Sequence, residues 1–157
     1  MGFATHLGPW LLGTNRYTTG TTADTTRNTG ATNVTQTKAV LYNDADATNA
    51  FALPAGALIA EISFITTTTF TAASTITLSI GATAITAALT VTNPGVATFA
   101  CDATEAAAAL WANVGATDKF VTYTVAQGAS SAGAGLIVIR YIVRGSDGAM
   151  YAAPNEN

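Results

Sequence analysis

Apolar and polar residues alternate along most of the chain beyond residue 37, with the period of two that marks a half-buried β-strand. TITLSIG (75–81) is the cleanest case: Ile76, Leu78 and Ile80 fall on one side, Thr75, Thr77 and Ser79 on the other. KFVTYTVA (119–126) repeats the pattern with Val121, Tyr123 and Val125 inward. LPAGALIAEISFI (53–65) opens on a Pro-Ala-Gly turn and then places Leu58, Ala60, Ile62 and Phe64 opposite Glu61 and Ser63. KAVLY (38–42) reads as a short strand followed by a polar turn around Asn43, Asp44 and Asp46. Residues 84–92 read as a further strand ended by the turn signal Asn93-Pro94-Gly95, and 96–101 as a short one after it.

One segment departs from simple alternation. AGAGLIVIRYIVRG (132–145) carries Ile137, Ile139, Tyr141 and Val143 on one face and Leu136, Val138, Arg140, Ile142 and Arg144 on the other. The first face suits the interior of a sandwich. The second is apolar yet studded with arginine, which fits a surface buried against another subunit. The alternative is a central strand covered on both faces within one chain.

Residues 102–115 break the β pattern. Asp102 followed three positions later by Glu105 resembles a capping box. Ala107, Leu110, Trp111 and Val114 then share a helical face, and Gly115 offers a stop. The expectation is one short helix over an end of the sandwich. Seven or eight short strands with regular turn signals predict an all-β, antiparallel β-sandwich, with a jelly roll as the preferred topology because it leaves few long edges.

Residues 1–36 differ from everything after them. Pro9, Trp10, Leu11 and Leu12 form an apolar plug, and residues 13–33 are rich in Thr, Gly and Asn without period. Burying Trp10, Leu11 and Leu12 returns roughly 5–9 kcal/mol. Ordering a backbone costs about 1–2 kcal/mol per residue, so an extended arm needs many further, intermolecular contacts. The organisation expected is an N-terminal arm (1–36) followed by a sandwich domain (37–157).

Composition narrows the function. Charged residues are only 10% of the 157-residue chain, against roughly 25% in ordinary globular proteins. The net charge of −3 argues against a nucleic-acid partner, which requires a basic footprint. No apolar run approaches the roughly 18 residues of a membrane helix. The opening MGFATHLGPWLLG lacks the basic and long apolar regions of a secretion signal, and the single cysteine rules out an internal disulfide framework. Assembly in a cytoplasm is the expectation. Residues 1–38 carry Arg16, Arg27 and Lys38 against Asp24, a basic arm on an acidic body.

Catalytic arrangements lack parts. His6 is the only histidine and lies in the arm, far in sequence from Ser130 and Ser131. Cys101 sits beside Asp102 with no neighbouring base, as a buried structural thiol would. Glu61 and Glu105 read as a strand residue and a cap rather than a carboxylate pair. GASSAGAG (128–135) lacks the lysine and helix of a phosphate loop. Asn43, Asp44 and Asp46 offer too few ligands for calcium and read as a turn. The reading therefore includes no catalytic residue, metal site or cofactor.

With LPAGALIAEISFI, TITLSIG, DKFVTYTVAQG and AGAGLIVIRYIVRG in this order, the chain resembles small jelly-roll virion proteins of tailed bacteriophages, above all capsid decoration (cement) proteins. Its opening, MGFATHLGPWLLGTNRYTTGTTADTTRNTG, is similar to the Thr/Gly/Asn-rich starts of structural proteins from marine tailed phages. The resemblance implies a homotrimer on the outside of a capsid, bridging neighbouring copies of the major capsid protein. The contact residues are inferred from this sequence itself: Trp10, Leu11, Leu12, Arg16, Tyr17 and Arg27 for the shell, and Leu136, Val138, Arg140, Ile142 and Arg144 between copies. A second expectation is a fibre or spike component whose sandwich loops bind a host glycan.

Overall fold

A computed structural model of the chain describes residues 33–143. The arm residues Trp10, Leu11, Leu12, Arg16, Tyr17 and Arg27 lie outside that range, as do His6 and Arg144. Within it are nine strands and one helix: β1 (Asn33–Leu41), β2 (Thr48–Leu53), β3 (Leu58–Thr68), β4 (Ser74–Ile80), β5 (Thr83–Ala84), β6 (Leu89–Val91), β7 (Gly95–Thr98), α1 (Glu105–Ala112), β8 (Lys119–Ala126) and β9 (Ala134–Ile142).

The strands form two antiparallel sheets. The first, sheet A, has the order β1-β9-β3-β7; the second, sheet B, has the order β2-β8-β4-β5, with β6 also paired to β4. The pairings are nested. β1 pairs with β9, β2 with β8, β3 with β7, and β4 with β5 and β6. The chain is thus a long hairpin bent near residues 81–89, and the pairings of β9 with β3 and of β8 with β4 roll it up. This is the strand order of a jelly roll.

Alternation explains the core. Ile76, Leu78 and Ile80 of β4, Val121, Tyr123 and Val125 of β8, and Ile137, Ile139 and Tyr141 of β9 are all buried, meeting Phe51, Leu53, Ile59, Ile62 and Phe64 between the sheets. Each fully buried side chain of this size contributes about 1.5–3 kcal/mol. The buried hydroxyls are paired. Ser130 Oγ donates to the Ala72 carbonyl at 2.6 Å and lies 2.9 Å from Ser74 Oγ, while Thr86 Oγ1 accepts from Leu78 N at 3.0 Å. Asp44 Oδ2 accepts from Leu41 N at 2.8 Å and from the Tyr123 hydroxyl at 2.6 Å, tying the turn after β1 to β8. Burial, and then the Asp44 carboxylate, push the Tyr123 phenol well above its ordinary range.

Several elements depart from the sequence reading. The first strand starts at Asn33, five residues before KAVLY. β2 was not expected at all, although Phe51 and Leu53 both point into the core. The strand expected over 84–92 is split into β5 and β6: between them Thr86 bridges to Cys101, while its hydroxyl accepts from Leu78 N in place of a backbone carbonyl. Leu58 and Ala60 do not face inward. The β3–β9 register shifts between Ile59 and Glu61, so Ile59 takes the core position and Leu58 turns out. The helix forms, but its N-cap is Thr104, whose Oγ1 accepts from Ala107 N at 3.2 Å; Asp102 instead accepts from Thr104 N. Helix α1 packs against β3 and β5, with Ala107 buried and Trp111 Nε1 donating to the Ile85 carbonyl at 2.7 Å.

Gly135 allows β9 to pass beneath Phe64: a Cβ there would run into the Phe64 ring and the Ile65 carbonyl oxygen. Gly135→Ala should therefore lower the unfolding free energy by about 1–3 kcal/mol. Urea denaturation would measure it, with the slope of the transition unchanged.

A candidate interaction face on sheet A

The two outer faces of the sandwich differ in chemistry. On sheet B the outward positions of β4 and β8 are Thr75, Thr77, Ser79, Phe120, Thr122, Thr124 and Ala126, and the register sets Thr77 beside Thr124 and Ser79 beside Thr122. Hydroxyls fill the middle of this face and suit it to water, with the exposed Phe120 toward one end. On sheet A the outward positions line up in rows across the strands. Ala39, Leu136, Ile65 and Val96 form one apolar row spanning all four strands. Thr37, Val138, Ser63 and Thr98 form the next. Thr35, Arg140 and Glu61 follow, and Asn33, Ile142 and Leu58 come last.

The structure thus brings four of the five predicted interface residues, Leu136, Val138, Arg140 and Ile142, onto one outward face. β9 is central in its sheet, but the described residues cover only one of its faces. Its outward side chains are half-buried or exposed, and Val96 is 72% exposed. Leu58, Ala39, Ile65 and Val96 also belong to the face and escaped the sequence reading. Membership depends on register, and the bulge beside Ala60 reverses the parity that would place Leu58 inside.

Arg140 is the face's central charge. Its Nη1 donates to Glu61 Oε2 at 2.8 Å, with side chains 49% and 40% exposed. It is the single ion pair among the described residues. An exposed pair of this kind contributes at most about 1 kcal/mol.

The residues weighed for chemistry are occupied structurally or stand apart. Ser130 is buried in the hydrogen-bonded cluster with Ser74 and Ala72. Glu61 is held by Arg140, and Glu105 stands in the first turn of α1. Cys101 is half-buried; burial, and then the neighbouring Asp102 charge, push its thiol above the ordinary range, away from a reactive thiolate. Phe120 is the one strongly exposed aromatic among the described residues.

No protein-family model and no curated protein sequence matches the chain. Among solved structures, a chain of the "acidic stable capsid structure of Helicobacter pylori bacteriophage KHP30" is similar, with a TM-score of 0.51 and 14% identity, over 73% of this chain and 90% of that one. The likeness is one of fold. It extends over nearly all of the matched chain, so the shared unit is the sandwich as a whole.

Because Arg140 and Glu61 are both half-exposed, Arg140→Ala should change the stability of the dilute protein by less than about 1 kcal/mol. A urea titration at low protein concentration would show this; a larger loss would mean that the pair serves folding.

Proposed function

We propose that this protein is a structural, non-enzymatic virion component that decorates and stabilises the outside of a phage capsid. The observation that carries the reading is the jelly roll shared, over nearly its whole length, with a chain of a phage capsid. The resemblance of the sequence to decoration proteins points the same way. In this reading the sandwich is assembled in the host cytoplasm and sits on the shell as a homo-oligomer, bridging neighbouring copies of the major capsid protein. The resemblance implies three copies.

The division of labour follows from the two parts of the chain. The arm, with Trp10, Leu11, Leu12, Arg16, Tyr17 and Arg27, grips the shell. The outer face of β9, with Leu136, Val138, Arg140, Ile142 and Arg144, meets other copies. Many weak anchors suffice on a shell, because linked sites gain effective concentration and so hold jointly. A glycan-binding loop surface would gain from clustered exposed aromatics, and among the described residues Phe120 stands alone, on a strand of sheet B.

The structure also sharpens the test. β1 begins at Asn33, so removing residues 1–32 spares every described strand. The truncated protein should fold, with an unchanged far-ultraviolet spectrum and cooperative melting, yet fail to co-sediment with empty phage heads that bind the full chain. Undiminished co-sedimentation would remove the arm from the mechanism.

A further inference from the structure

We infer that the outer face of sheet A closes against a second copy of this chain about a two-fold axis that runs parallel to the strands, midway between β9 and β3. The inference rests on the preceding reading that copies meet through this face, and it names how they meet.

The sheet order β1-β9-β3-β7 places the boundary between β9 and β3 at the centre of the face. A two-fold in the plane of contact along that line lays β9 over β3 of the partner and β1 over β7. Each row then meets itself reversed. Leu136 faces Ile65, and Ala39 faces Val96. Thr37 faces Thr98, and Ile142 faces Leu58. Arg140 comes over Glu61 and Glu61 over Arg140, so the exposed pair within each chain is matched by a reciprocal pair between chains.

Other placements fail on charge. A two-fold running across the strands through the Arg140 row would set Arg140 on Arg140. One through the Val138 row would set Arg140 on Leu136. The axis along the strands leaves no charge against a like charge and none against an apolar side chain. The resulting sheets run in the same direction, as aligned sandwich packing requires.

Symmetry separates this pair from the trimer that the resemblance implies. One self-complementary patch makes a two-fold contact, whereas a closed trimer needs two different patches on each copy. Area sets the expected strength. Four strands about 4.8 Å apart, with β1 and β9 of nine residues, β3 of eleven and β7 of four, cover roughly 500 Å² per copy. The pair therefore buries roughly 1,000 Å² in total, near the lower limit for a specific interface. Pairing should accordingly be reversible and concentration-dependent in free solution.

Charge reversal tests the arrangement on the full chain. Light scattering and sedimentation of the unaltered protein should show a mass rising with concentration from one chain to two and no further. Arg140→Glu puts four carboxylates at the contact and Glu61→Arg puts four cations there, so each variant alone should pair at least about tenfold more weakly. Mixed in equal amounts, the two should pair with each other, since every cross-chain contact then joins opposite charges. Native mass spectrometry reads that heterodimer directly, and thermal melts confirm that both variants are folded. An unaltered chain that stays monomeric at every concentration, a limiting mass of three chains, or a mixture that pairs no better than its components would each overturn the inference. Co-sedimentation of the unaltered chain with heads reports separately on the decoration reading, so the two can fail independently.

Discussion

The fold depends on β9 being held from both sides. Its nine positions pair with β1 along one edge and with β3 along the other. Its inward row, Ile137, Ile139 and Tyr141, closes the core against sheet B. No other strand joins the start of the described chain to its middle. Without β9, β1 would lose its only partner in the sheet and β3 would keep only the four-residue β7. The close passage of Gly135 under Phe64 belongs to the same constraint. It brings the start of β9 near enough to β3 for the register to hold, and Phe64 in turn reaches Phe70, with ring centroids 6.2 Å apart. Long-range pairing of first strand with last makes this a topology in which closure comes late and loop entropy is considerable.

Because β9 is central, it has no free edge, and its second row of side chains can interact only through a face. That separates two jobs along one strand. Inward residues hold the sandwich; outward residues present Leu136, Val138, Arg140 and Ile142. Sheet B fills the middle of its outward face with threonine and serine, which favour strands yet stay hydrated. A chain with 10% charged residues stays hydrated on that side by hydroxyls rather than by ions. The contrast between the two outer faces is the physical ground for assigning association to sheet A.

Much of the fold was legible where a strand's buried face is regular. Ile76-Leu78-Ile80, Val121-Tyr123-Val125 and Ile137-Ile139-Tyr141 all lie inward as their spacing predicts. Legibility failed where a local device overrides periodicity. At Ala60 an extra residue in β3 reverses the parity, so Leu58 is outside and Ile59 inside. At Thr86 a side chain stands in for backbone, and at Thr104 a hydroxyl in a better position displaces the aspartate from the cap. Four members of the candidate face were visible as one strand's second row. Leu58, Ala39, Ile65 and Val96 were not, since joining them to it requires the register of three pairings that no linear pattern encodes.

The register also ties the face to the arm. Asn33, where β1 begins, is the partner of Ile142, where β9 ends. Asn33 and Ile142 therefore lie at the same end of sheet A. A two-fold along the strands preserves strand direction, so in the inferred pair the two Asn33 residues lie at the same end. A two-fold across the strands would send them to opposite ends. In the proposed reading, where the residues before Asn33 grip a shell, such a pair would present two anchors to one surface, the second binding at the effective concentration set by the first. An interface of roughly 1,000 Å² is weak for free molecules, but on the proposed reading copies held side by side on a shell would be concentrated by that shell. Pairing and anchoring thus reinforce each other, and neither contact needs to be strong alone. The strand direction of β9, selected by the charge pattern of Arg140 and Glu61, is what makes the two compatible.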